Sequence, residues 1–89
     1  MKNRGVVLRC QHGLHLRVAA TVAGIARGHG STAVRLSCGH CQNANACSVL
    51  ELLTLEAGRG AQLEITAEGP DEAVVVEQLA QLFEDGEGI

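Results

Sequence analysis

The sequence predicts an α+β fold, a four-stranded antiparallel sheet with three helices on one face, in the order β-α-β-β-α-β-α. Two patterns carry this prediction. The strand segments alternate apolar and polar residues, so one sheet face meets the core and the other meets water. The helical segments space their apolar residues by three and four, which buries a single stripe on each. The elements do not repeat as regular βαβ units, and that sets a parallel sheet aside.

The first strand is read over Val6 to Cys10. Val18, Val22, Ile25 and Ala26 recur at helical spacing, and Gly28 and Gly30 end that helix because glycine accepts the left-handed conformation of a helix stop. Thr32 to Ser37 forms a second strand. A turn around Gly39 leads into a third, less apolar strand near Gln42 to Asn45. Ser48-Val49-Leu50-Glu51 fits a capping box, in which Ser and Glu each satisfy a free amide at a helix start. That short helix ends before Gly58. Ala61 to Ala67 alternates strictly and reads as a strand with one wet face. Gly69-Pro70-Asp71 turns the chain into a last helix whose stripe is Val75, Leu79, Leu82 and Phe83. The tail from Glu84 to Ile89 is expected to fray.

Composition narrows the function classes. Eighty-nine residues suit one domain, expected over 1–89. Phe83 is the only aromatic residue, so Val, Leu, Ile and Ala must fill a small core. A formal charge of −3 argues against a general nucleic-acid binder. Neither a signal-peptide core nor a run of about 20 apolar residues is present, so a cytoplasmic protein without membrane insertion is expected. In that compartment the four cysteines are expected as thiols or metal ligands rather than structural disulfides.

The segment QHGLHLRVAA, Gln11 to Ala20, carries the chemistry. It places His15 and Arg17 at the mouth of the first helix, where free amides and a partial positive charge favour an anion. A neutral imidazole there suits nucleophilic attack on phosphorus. The phosphoryl group would rest on the backbone amides of Leu16 and Arg17, with the Arg17 guanidinium as a further donor. Gly13 would let the backbone approach a partner closely. The plain alternative is a capping histidine beside a solvated arginine.

Gly13-Leu14-His15-Leu16-Arg17-Val18-Ala19-Ala20 resembles the G-L-H-x-R-P-A signature of the HPr family, histidine phosphocarriers of the bacterial sugar phosphotransferase system. Cys47-Ser48-Val49-Leu50 with Leu53 resembles that family's regulatory K-S-L segment. Leu63 to Ala73 resembles its last strand and turn, I-x-A-x-G-x-D-E. The resemblance covers nearly the whole chain and implies an open-faced β-sandwich. It also implies that His15 accepts phosphate from enzyme I on Nδ1, assisted by Arg17, and passes it to IIA domains. Ser48 matches the serine that a dedicated kinase/phosphorylase modifies in some bacteria. A partner surface is implied at Leu16, Val49, Leu50 and Leu53, some of them core. No cofactor and no metal are implied, and a monomer is expected. His12 and His29 receive no role, His29 being read as surface.

Two features depart from the family. Val18 stands in place of proline, whose fixed φ and missing amide suit a first helical turn; valine restores a donor there and is expected to loosen the turn. Cys38-Gly39-His40-Cys41 matches a disulfide-isomerase motif in letters only, because its flanks place it in a turn and not at a helix start. A zinc site at Cys38, His40, Cys41 and Cys47 would require Cys47 to fold back. The turn is expected to be exposed and dispensable, though near enough for a Cys38–Cys41 disulfide. The competing functions are a regulatory HPr paralogue acting by protein binding through the Ser48 face, and a metal or redox module.

Overall fold

The computed structural model describes residues 1–10, 13–38, 42–55 and 57–85, with Gln42 described for its backbone only. The elements are β1 (Lys2–Val7), α1 (Leu16–Gly28), β2 (Ala33–Cys38), β3 (Gln42–Asn45), α2 (Val49–Thr54), β4 (Gln62–Glu68) and α3 (Glu72–Asp85). The strands form one sheet in the order β1-β4-β2-β3, and every neighbouring pair is antiparallel. The α+β order read from the sequence stands.

Pairing register explains the burial. Val6 faces Leu63 and Leu63 faces Cys38; one pleat on, Arg4 faces Ile65, Ile65 faces Leu36 and Leu36 faces Ala44. Side chains in these rows point to the helices, and Val6, Leu36, Ala44, Leu63 and Ile65 are buried. The intervening row of Gly5, Glu64, Ser37 and Asn43 lies on the opposite face. Val18, Val22 and Ala26 of α1, Leu52 of α2, and Val75, Leu79 and Phe83 of α3 close the core from one side. Ile25 and Leu82 are half-buried at its margin.

The first strand begins at Lys2 rather than Val6. Its polar start conceals it in the sequence, yet Lys2 to Val7 pair continuously with β4. Arg4 holds a core-facing position on this edge strand, and its guanidinium reaches Glu77 at 2.6 Å and Glu84 at 3.5 Å on α3. An inward charge of this kind also discourages edge-to-edge pairing. Leu8 to Cys10 leave the strand: the Leu8 N–H donates to Ala61 O and the Arg9 N–H to Phe83 O, each at 2.9 Å.

Half of the capping box forms. Ser48 Oγ accepts from the Glu51 N–H at 3.3 Å, but Glu51 Oε1 accepts from the Asn45 N–H at 3.0 Å. The Ser48 N–H is already used, donating to Asn45 O at 3.0 Å. Glu84 and Asp85 are helical, so the tail expected to fray lies, beyond them, outside the described residues.

Candidate functional site

His15 is the N-cap of α1, with extended backbone at φ −111° and ψ −178°. Its Nδ1 accepts from the Arg17 N–H at 3.3 Å, and its carbonyl accepts from the Ala19 N–H at 2.8 Å. An accepting Nδ1 carries its lone pair towards the helix end, which places the proton of a neutral ring on Nε2. No acidic side chain occupies the first turn of α1, so no carboxylate of that turn offsets the positive end of a 13-residue helix. The ring is half-buried and the Arg17 side chain is exposed. A nucleophilic nitrogen therefore sits where phosphoryl oxygens would meet a backbone amide and a guanidinium.

Val18 lies in the formed first turn of α1. Its side chain is fully buried in the core, and α1 still begins at Leu16 behind the His15 cap. Gly13 likewise meets its own chain: a Cβ there would fall 2.6 Å from Ala57 O. The sequence carries no signal of this contact, because a main-chain carbonyl distant along the chain supplies it.

The helices α1 and α2 run in opposite directions. Arg27, in the last turn of α1, donates Nε–H to Cys47 O at 3.1 Å, while the Leu14 N–H donates to Ala57 O at 2.8 Å beyond the other end. Ser48 therefore lies beside the far end of α1 from His15, on the order of 15–20 Å away at the helical rise per residue. The four residues expected to form a partner surface divide. Leu16 and Leu50 are 64% and 78% exposed, whereas Val49 and Leu53 are half-buried and packed on the core.

His29 is not a bare surface residue. It is the C-cap of α1, and its Nδ1 lies 2.9 Å from Asp71 Oδ2. His12, and residues 39–41 of the cysteine turn, lie outside the described residues. Cys38 itself is half-buried on the core face rather than exposed, because its register places it across from Leu63. Cys10, Cys38 and Cys47 are free thiols. Burial pushes the Cys10 thiol up from its ordinary range, against a smaller opposing backbone hydrogen bond. Among the described residues, no three His, Cys, Asp or Glu side chains group as metal ligands. No helix among them is long and apolar enough to cross a membrane.

The family model described as the PTS HPr component phosphorylation site matches residues 2–85. The chain belongs to the HPr phosphocarrier family. It is 33% identical over 84 residues to the phosphocarrier protein HPr of Borreliella burgdorferi, covering 94% of this chain and 95% of that one. The crystal structure of HPr-C-His from Thermoanaerobacter tengcongensis superposes with a TM-score of 0.89 at 27% identity, over 100% of this chain and 98% of that one. A phosphocarrier protein HPr from Bacillus anthracis gives 0.85 at 25% identity, over 93% and 96%. The HPr fold and its phosphotransferase-system setting thus rest on family membership as well as on the architecture.

Proposed function

We propose that this HPr-family chain carries phosphate on Nδ1 of His15, taking it from enzyme I and delivering it to IIA domains. The observation that carries this reading is the His15 cap, with Nδ1 turned to the Arg17 amide at the head of α1. In the transfer, a bond forms from Nδ1 to phosphorus as the donor's bond to phosphorus breaks. The ring becomes cationic on bonding, and the helix end and Arg17 hold the phosphoryl oxygens. Delivery to the IIA acceptor reverses these steps and restores the lone pair. Leu16, next to the ring, and Leu50, on the exposed face of α2, supply the apolar partner contact in this scheme. The relay is proposed to work in the cytoplasm as a monomer. Modification of Ser48 by a serine kinase is a separate proposal: a phosphate there would lose the Glu51 cap and meet the Glu51 carboxylate.

Incubation with enzyme I and phosphoenolpyruvate tests the relay. The expected product is one acid-labile, base-stable phosphate, absent from His15→Ala. Phosphate retained by His15→Ala, or none on the parent with a competent enzyme I, overturns the reading and leaves the regulatory paralogue in its place.

A further inference from the structure

Gly13, two residues before His15, has φ of +72°, in the left-handed region that side chains rarely enter. A Cβ on it would lie 2.6 Å from Ala57 O and 2.8 Å from the Gly58 Cα, far inside van der Waals contact. The connection between α2 and β4 is thus pressed against the loop that carries the histidine. Main-chain bonds surround the contact: the Gly13 N–H donates to Cys10 O at 2.9 Å, and the His15 N–H to Gly13 O at 3.1 Å. Between them the Leu14 N–H donates to Ala57 O at 2.8 Å while its side chain enters the core. The backbone of His15 therefore starts from a peptide held on both sides. Gly60, in the same connection, offers a contrast: its φ is +90°, but a Cβ there would meet open space.

We propose that Ala57 and Gly58 are positioning residues for His15: by clamping the Gly13–Leu14 peptide they set the imidazole on the head of α1. The consequence for transfer rests on the phosphocarrier reading; the consequence for ring geometry does not. The full chain and its Gly13→Ala and Gly60→Ala variants are compared by nitrogen-15 NMR of the histidine ring and the Arg17 amide, and by phosphate uptake from enzyme I. Gly13→Ala is expected to lose the Nδ1 contact with the Arg17 amide and to slow uptake on the order of ten- to a hundred-fold. Gly60→Ala carries comparable backbone strain without a collision, and keeps both the ring signature and the uptake near the parent's. A folded Gly13→Ala with the parental ring signature overturns the proposal, as does an equal loss in Gly60→Ala. Should Gly13→Ala not fold, an amide-to-ester replacement at Leu14, introduced by ligation at Cys10, removes the donor to Ala57 O without adding a side chain at Gly13. The same outcomes then decide. If the parent itself takes no phosphate, the relay reading falls and the ring signature alone judges the clamp.

Discussion

His29 closes the first helix and Asp71 opens the last turn before α3, and the two meet at 2.9 Å between Nδ1 and Oδ2 across 42 residues of chain. Thr32, the one polar residue buried among those described, adds a second link by accepting from the Asp71 N–H at 3.0 Å. These contacts fasten the α1–β2 corner to the β4–α3 corner. With side chains 23% and 48% exposed, the His29–Asp71 pair is worth about 0.5–1 kcal/mol. A double-mutant cycle of His29→Ala and Asp71→Ala, followed by urea unfolding, is expected to return a coupling of that size. Strict additivity would show that the contact contributes nothing.

At the phosphate site, Arg17→Ala is expected to slow transfer but leave acceptance possible, because the helix amides still hold the phosphoryl group. Loss of one charged donor costs about 1.5–3 kcal/mol, roughly ten- to a hundred-fold in rate. Rapid-quench transfer from phosphorylated enzyme I measures it. Val18→Pro is expected to stay folded within about 1 kcal/mol of the parent, since the first turn tolerates proline and the buried volume is nearly kept. A large loss of stability would show that the Val18 side chain or amide has a role that proline does not fill.

Glu72 gives the fold an acid-sensitive joint. Its carboxyl is held below the usual range first by the Gly69 N–H, at 3.2 Å, and then by the Met1 amino group, also at 3.2 Å. A folded-state value below the unfolded one means stabilisation that is complete above the ordinary glutamate range, about 4.3, and is lost as pH falls through the folded value. Thermal midpoints of the parent and Glu72→Gln should therefore differ near neutral pH and converge as pH drops below about 4. A gap that persists unchanged to low pH would assign the effect to packing instead.

Cys10 should resist alkylation in the folded protein, being fully buried with its thiol pushed up by burial. Reaction then requires opening, so labelling by iodoacetamide is expected to run on the order of a thousand-fold slower than in denaturant. Mass spectrometry of the labelled peptides reads this directly. Cys38 and Cys47, both half-buried, should label well before it. Serine at Cys38 and Cys41 is expected to leave phosphate acceptance within a few-fold of the parent.

Local chemistry decided what periodicity and short motifs record. The alternation of Leu63, Ile65 and Ala67 suffices to orient a strand, and the spacing of Val75, Leu79 and Phe83 suffices to orient a helix, because side-chain direction follows from backbone repeat alone. His15 at a helix mouth was legible for the same reason: a cap is a local event. Tertiary structure decided whatever depends on a partner distant in the chain. β1 begins at Lys2 because β4 pairs with it there, and nothing in its own polar start announces a strand. Glu51 abandons Ser48 for Asn45 because β3 ends in a turn that already occupies the serine amide. His29 finds Asp71, Cys38 turns inward opposite Leu63, and Gly13 is pinned by the Ala57 carbonyl. A pattern along one segment encodes which face is apolar; which groups meet across that face is set only when the layers pack.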